Sequence, residues 1–324
     1  MDLVDKSILL ELSANCRISY QSLANKLDLT VNAIKKRIAK LTETGVIQRY
    51  CVYLSLAMLD AEILLAIIKT DGTRTEDDFL DELGANPMVY GASYLVNWDV
   101  LLFAEYVGSD GLAKLGKFLR QHENVKEVEM HTLQSEKGSK GEFSRSDLKV
   151  LRCLAEDARM SVAEIARQTG LTPKRVRKII QKMLGEGGST PEWAIEKTSI
   201  GDYRTSQACI HFRLWWDLNA AGGTAFLIRI GWDEGKGSLG EIVDWLKKEF
   251  PIEFWYAYAL ASEPTMFTVY VVEHLREADQ ICKRIQQGPH VNTIEAIFGY
   301  PGLKYKSLRE TRLEELLNQI EPKP

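Results

Sequence analysis

Residues 17–50 read RISYQSLANKLDLTVNAIKKRIAKLTETGVIQRY, and residues 159–187 read RMSVAEIARQTGLTPKRVRKIIQKMLGEG. The second stretch is a copy of the first. A shift of 142 residues lays residues 5–45 on residues 147–187 without a gap, pairing Leu9 with Leu151, Leu12 with Leu154, Arg17 with Arg159 and Ser19 with Ser161. It also pairs Ala24 with Ala166, Thr30 with Thr172, Lys36 with Lys178, Ile38 with Ile180, Lys40 with Lys182 and Gly45 with Gly187. Self-similarity of this length marks an internal duplication.

Each copy reads as three short helices. In the first, Leu3, Ile8, Leu9 and Leu12 recur at helical spacing until Asn15. Ser19 then supplies an N-cap oxygen for a helix over residues 20–27, with Leu23, Ala24 and Leu27 inward. Thr30 caps a third helix over 31–44, whose Ile34, Ile38 and Leu41 form an apolar stripe, and Gly45 ends it. The short turn at Asp28 and Leu29 is the link of a helix-turn-helix, whose second helix enters the DNA major groove. A strand over residues 46–54 follows as the wing.

The charge pattern fits that reading. Residues 17–50 hold seven basic residues against two acidic ones, and residues 159–182 hold seven against one, in a chain of net charge −4. Two basic islands stand on an acidic body. Lysines and arginines beside a recognition helix neutralise phosphates, while residues at its N-terminus can reach base edges. The expected DNA-binding residues are Arg17, Ser19, Thr30, Asn32, Lys35, Lys36 and Lys40 in the first copy. In the second they are Arg159, Thr172, Lys174, Arg175, Arg177, Lys178 and Lys182. Asn32 and Lys36, and Lys174 and Arg175, are the best placed for bases. The copies differ there, so the expected DNA site is composite and not a perfect palindrome.

After each helical unit the hydrophobic period falls to two. The first half reads as strand 61–69, helix 75–83, strands 88–96 and 100–107, helix 110–121 and strand 125–133. The second half repeats the order over 224–230, 237–250, 252–259, 266–272, 276–287 and 291–298. Here the offset is 164 residues: Pro87 matches Pro251, Tyr94 matches Tyr258, Phe103 matches Phe267 and Tyr106 matches Tyr270. The fold class is α+β, with two winged helix-turn-helix modules alternating with two ferredoxin-like βαββαβ modules. The boundaries fall at 1–54, 55–136, 137–205 and 206–303, with a C-terminal helix in 304–324.

The first half resembles the Lrp/AsnC (leucine-responsive, feast/famine) family of transcription regulators, through Asp5…Ile8-Leu9…Leu12, Arg17-Ile18-Ser19, Leu23-Ala24 and Gly45-Val46-Ile47…Tyr50. A cytoplasmic location is the default expectation, and the resemblance implies a transcription regulator that binds double-stranded DNA. It also implies a sheet module that dimerises and holds an amino-acid effector near a Gly…Asp pattern, here Gly91 followed by Asn97, Trp98 and Asp99. A glycine that relieves crowding in a strand, and an aspartate that caps a hairpin, explain the same residues without a ligand. With two reading heads in one chain, pairing arises either within the chain, as a pseudo-dimer, or in a homodimer.

The second half departs from the family. Gly185-Glu186-Gly187-Gly188 runs into Ser189-Thr190-Pro191-Glu192 in place of the Gly-Val-Ile lead into the wing, and residues 193–223, with Trp215 and Trp216, take no assigned element. Trp255 stands where the first half has Gly91, and Glu263 where it has Asp99, so a second effector site is not expected.

The five cysteines are scattered without a C-x-x-C pair, the histidines have no metal-ligand spacing, and no glycine loop or nucleophile–base set is present. No metal, cofactor or enzyme activity is expected. No apolar run reaches the length of a membrane span, and the acidic N-terminus lacks a secretory signal. The competing reading is a tetrapyrrole- or other small-molecule-binding protein or enzyme, because tetrapyrrole decarboxylases share this order of modules. That chemistry needs a cleft with histidine and arginine, whereas the basic residues here concentrate on the helical modules.

Overall fold

In the computed structural model, which describes residues 1–135, 137–185, 208–217, 220, 222 and 224–320, capping decides where the first helices begin. Helices α1 (Leu3–Ala14), α2 (Tyr20–Lys26) and α3 (Val31–Glu43) start after Asp2, Ser19 and Thr30, whose side-chain oxygens accept from the N–H groups of Asp5, Ser22 and Ala33. Helices α6 (Arg145–Glu156), α7 (Val162–Thr169) and α8 (Pro173–Met183) repeat this with Ser144, Ser161 and Thr172. The turn into each third helix needs a left-handed residue. Asp28 (φ 52°) supplies it in one copy and Gly170 (φ 71°) at the same position in the other.

Strands β2 (Ala61–Thr70), β3 (Val89–Tyr94), β4 (Val100–Val107) and β5 (Val125–Thr132) form one antiparallel sheet in the order β5-β2-β4-β3. Helices α4 (Asp77–Gly84) and α5 (Gly108–Arg120) cover one face, where Phe79, Leu80, Leu83, Leu115 and Leu119 are buried. Strands β7 (Thr224–Trp232), β8 (Phe254–Ala259), β9 (Thr265–Val272) and β10 (Val291–Phe298) repeat it as β10-β7-β9-β8. Their helices are α9 (Leu239–Glu249) and α10 (Leu275–Gln286). Both are the expected split βαβ arrangement.

The halves pair within the chain. The opposite faces of the two sheets share one apolar cluster, with Ile63, Leu65, Ile67 and Leu101 from the first and Leu260, Phe267 and Ile297 from the second. Backbone bonds close both ends. Gln134 N–H donates to Ala259 and Ala261 N–H to Thr132, both at 2.8 Å, while Val96 N–H donates to Phe298 (2.9 Å) and Tyr300 N–H to Tyr94 (2.8 Å).

The wing strand β1 (Ile47–Leu54) pairs antiparallel with β6 (Ile210–Trp216), from Ile47 opposite Trp216 to Leu54 opposite Ile210. Tyr50 lies opposite Leu214. Those two residues are also 164 apart in sequence, so they are equivalent, and the local two-fold of the pseudo-dimer passes through that pair.

The ribbon corrects the boundary expected at 205/206: among the described residues β6 pairs with β1, not with the second sheet. Residues 210–216 go with the wings, and the unassigned Trp215 and Trp216 sit on this strand. The altered wing lead at residues 186–192, and most of 193–223, lie outside the described residues. A short strand β11 (Leu303–Lys304) extends the first sheet beyond β3. Helix α11 (Leu308–Leu317), capped by Ser307, docks at home: Arg152 of α6 donates to the carbonyls of Leu317 (2.6 Å) and Ile320 (3.1 Å).

Arg17 and Arg159 hold the same interface reciprocally. Arg17 donates to the carbonyls of Ala158 (2.5 Å) and Met160 (3.0 Å), and Arg159 donates to that of Cys16 while lying over the rings of Tyr20 and Tyr50. Burial lowers the pKa of Arg17, and the neighbouring Arg159 charge works the same way. Both were expected to face DNA. Their guanidinium groups instead satisfy carbonyls across the pseudo-two-fold, where no backbone ladder reaches. Replacing either by alanine is expected to cost about 1.5–3 kcal/mol, the range for bonds to a charged group. The double variant should cost less than the sum of the singles, since the two share one interface. Denaturant midpoints of the two singles and the double measure this.

Candidate nucleic-acid interface and central cavity

Apart from Arg17 and Arg159, the cations expected at DNA lie on the third helices. Asn32, Lys35, Lys36 and Lys40 are exposed on α3, and Lys174, Arg175, Arg177 and Lys178 on α8. Apolar Ile34, Ile38 and Leu41 are buried beneath α3, and Val176, Ile179, Ile180 and Met183 beneath α8, which fixes the basic faces outward. Lys35 leans over the Tyr20 ring, 5.6 Å from its centre. Ser19, Thr30 and Thr172 spend their side-chain oxygens on helix caps at exposed positions.

Lys182 is different, because its ammonium lies 2.7 Å from the carboxylate of Asp147 and 3.2 Å from the Glu142 carbonyl. Burial opposes the charge of Asp147, but Lys182 and the Ser144 N–H outweigh it and lower the pKa. In the first copy Arg37 does this work, with one guanidinium nitrogen 2.7 Å from both Asp2 and Asp5. Each copy therefore uses a cation of its third helix to hold the start of its first helix.

The expected effector residues separate. Asp99 accepts from the Thr70 N–H (2.9 Å) and from the Asn97 amide (2.7 Å), and its carbonyl accepts from Leu95 (2.7 Å). Trp98, at φ 67°, stacks on Tyr300 with ring centres 5.6 Å apart. Asn97, Trp98 and Asp99 thus build and brace a hairpin turn. Gly91 is elsewhere: a Cβ there would meet nothing nearer than the Leu303 carbonyl at 3.8 Å, so crowding does not explain it, and it lines a cavity.

That cavity, about 770 Å³, lies where the ribbon, both sheets and the C-terminal segment meet. Nine aromatic side chains border it, including Tyr53 of β1, Trp215 and Trp216 of β6, Tyr90 of β3 and Tyr256 and Tyr258 of β8. Its charged groups are Glu105, Arg213, Asp217, Lys304, Arg309 and Glu310. Glu105 is fully buried and accepts both the side chain (2.5 Å) and the backbone N–H (3.1 Å) of Arg309, whose guanidinium lies over Tyr53. Glu310 is held by Arg49 at 2.9 Å. Arg213 donates to the Ser13 carbonyl (3.0 Å), and Lys304 lies over Trp215, 4.7 Å from its ring centre. Burial lowers the pKa of Lys304, and Asp217 partly restores it.

The matching position in the other half is closed. Trp255 is buried against Trp216, with ring centres 4.6 Å apart, and Lys6 covers it at 5.2 Å. Lys6 donates to the carbonyls of Pro251 (3.0 Å), Ile252 and Phe254 (2.8 Å), and burial pulls its pKa down to about 7. At an offset of 142, its counterpart is Leu148. Sequence reasoning anticipated the tryptophan plug but missed Lys6, Glu105, Arg213, Lys304 and Arg309. A signal was present for one of them: Glu105 aligns with Val269, and a carboxylate opposite an aliphatic residue in a duplicated strand needs a partner of its own.

A family described as winged helix-turn-helix DNA-binding matches the chain twice, over residues 1–48 and 143–187. An uncharacterized HTH-type transcriptional regulator of Pyrococcus furiosus is 40% identical over 83 residues, 26% of this chain, so the chain spans 53% of that relative's length. Another from Pyrococcus abyssi is 28% identical over 145 residues, covering 42% of this chain and 97% of its own length. Nearly the whole of that relative fits in less than half of this chain, as a doubled sequence requires. Among solved structures, siroheme decarboxylase NirDL is similar in fold over 98% of this chain and 99% of its own, with a TM-score of 0.51 and 12% identity. E. coli AsnC matches 45% of this chain and 96% of its own, with a TM-score of 0.33 and 20% identity.

Proposed function

We propose that this chain, a DNA-binding transcription regulator of the Lrp/AsnC type doubled in tandem, reads a composite operator with two unlike heads held in one pseudo-dimer. The observation that carries the reading is the pair of exposed basic helices, α3 and α8, mounted on opposite strands of one ribbon. Helix-turn-helix dimers place equal recognition helices in successive major grooves, about 34–36 Å apart, and so read palindromes. Here Asn32 and Ala33 stand on one helix where Lys174 and Arg175 stand on the other. An asparagine suits adenine and an arginine suits guanine, so the half-sites should differ.

Contacts to double-stranded DNA fall to Asn32, Lys35, Lys36 and Lys40 of α3 and to Lys174, Arg175, Arg177 and Lys178 of α8. Lys182 serves its own module. Any small effector, such as the amino acid that the family resemblance implies, belongs near Gly91 rather than at the 97–99 hairpin, whose polar groups already bond one another. Rounds of selection from random duplexes test the reading: the expected product is one composite site with two dissimilar halves. Recovery of perfect palindromes alone would overturn the composite site. A purified chain that carries pigment and shifts no duplex at low salt would favour the tetrapyrrole reading instead.

A further inference from the structure

We infer that Tyr20 is a positioning residue for DNA contact: its ring, clamped from the second helical module, holds Lys35 of the first reading head in place for a phosphate. This role deepens the regulator reading above and rests on it. Tyr20 opens α2 directly after the Ser19 cap and is half-buried against the core of the winged modules. Two cations from different modules meet on its ring. Lys35, one turn into α3, lies over it at 5.6 Å from the ring centre, and the Arg159 guanidinium lies over it at 4.8 Å. Arg159 is itself anchored, because it donates to the Cys16 carbonyl and also covers Tyr50, 5.3 Å from that ring centre.

The way Lys35 is held leaves it free to act. Arg37 is tied to Asp2 and Asp5, and Lys26 to Glu11, whereas among the described residues Lys35 has no carboxylate or carbonyl partner. A ring face attracts an ammonium without neutralising it, so the lysine keeps its charge and its N–H donors for an anion. Its four-carbon stem would otherwise sample many rotamers, and ordering it only on contact with DNA would lower affinity. The ring orders it beforehand.

The duplication supplies an internal comparison. At an offset of 142, Tyr20 becomes Val162 and Lys35 becomes Arg177, which has no ring contact among the described residues. The second helix-turn-helix forms with a valine at that position, so the fold of the module does not require the ring. Arg17, the counterpart of Arg159, rests on Phe212 of β6 at 5.3 Å. Both interface arginines lie on aromatic rings, but only Arg159 shares its ring with an exposed cation of a third helix. The second module thereby helps to place a DNA contact of the first, and nothing equivalent runs in the other direction.

The test measures duplex affinity of the whole chain, with protection mapped over each half of the selected site. Tyr20→Leu is expected to weaken binding about two- to fivefold, the worth of a cation on an exposed ring, and the loss should be confined to the half protected by α3. Tyr20→Phe keeps a ring and should match the parent. In a Lys35→Ala background Tyr20→Leu should lose nothing further, because the lysine that the ring holds is gone. Equal losses with and without Lys35, or equal losses over both halves of the site, would overturn the role. Should Tyr20→Leu not fold, nuclear magnetic resonance of the parent decides: the Lys35 side-chain methylene protons should be displaced by the ring current and remain so on the duplex. Their return to ordinary lysine positions on the duplex would show that the ring releases Lys35, and would overturn the role. A parent chain that shifts no duplex at low salt would overturn the regulator reading and this role with it. A chain that binds duplex and loses nothing in folded Tyr20→Leu would overturn the role of Tyr20 alone.

Discussion

Glu105→Ala should be among the most destabilising single substitutions in this chain, costing about 3–5 kcal/mol, because it strips a buried guanidinium of its counter-charge. Glu105 is fully buried on β4, and Arg309, at the start of α11, is 6% exposed. The carboxylate accepts from the Arg309 side chain and also from its backbone N–H, so it holds both the charge and the end of the helix. Once it is gone, Arg309 keeps a ring contact with Tyr53, which is worth about 2 kcal/mol at best. The cheaper response is for α11 to leave, carrying Leu313, Leu316 and Ile320 out of the core beneath the winged modules.

The double variant Glu105→Leu with Arg309→Leu separates loss of charge balance from loss of packing. Replacing a buried ion pair by apolar residues is often neutral or better, so the double should recover most of what the single loses. The equivalent of Glu105 in the second sheet is already Val269, a half-buried aliphatic residue that needs no partner. Denaturant midpoints and the rate of proteolysis near α11 report the two effects. A double variant no more stable than Glu105→Ala would show that the loss comes from the bond between the Glu105 carboxylate and the helix backbone and from packing, not from an uncompensated guanidinium.

The modules were legible because their signals are local. Helical spacing, Ser and Thr caps and the turn at Asp28 or Gly170 act within a few residues, and the change of period from near four to two marks the sheets. What joins the modules was not legible. Arg17 and Arg159 belong to the basic islands by composition, and a guanidinium aimed at a carbonyl reads the same in sequence as one aimed at phosphate. Only the reciprocal crossing of Cys16, Ala158 and Met160 distinguishes them. Strand β6 was hidden for a related reason. Its counterpart β1 follows directly on α3, whereas the growth of the offset from 142 to 164 residues falls between α8 and the second sheet. Asp99 was ambiguous in sequence because an effector site and a braced turn both use an aspartate after an exposed aromatic residue. Its bonds to Thr70 and Asn97 are those of a braced turn. The cavity draws on β1, β3, β4, β6, β8 and the C-terminal segment, and no one stretch announces it.

Changing Lys35, Lys36, Lys174 and Arg175 together to alanine should lower affinity for duplex DNA on the order of 10³-fold at 0.1 M salt, with little effect on stability. All four are exposed, and none holds its own module as Arg37 and Lys182 do. Each cation that neutralises a phosphate releases counterions, contributing about 0.9 to the slope of log K against log salt. Four lost contacts should therefore flatten that slope by about 3 to 4. Restoring the cations one head at a time divides the effect. With only Lys35 and Lys36 present, protection should persist over one half of the composite site, and with only Lys174 and Arg175 over the other. Arg17→Ala and Arg159→Ala provide the contrast: if their guanidinium groups serve only the interface, stability falls while the salt slope stays at the parent value. A slope that changed with Arg17 or Arg159 but not with the four exposed cations would place the DNA on the wrong face of the winged modules, and the regulator reading would have to be rebuilt from there.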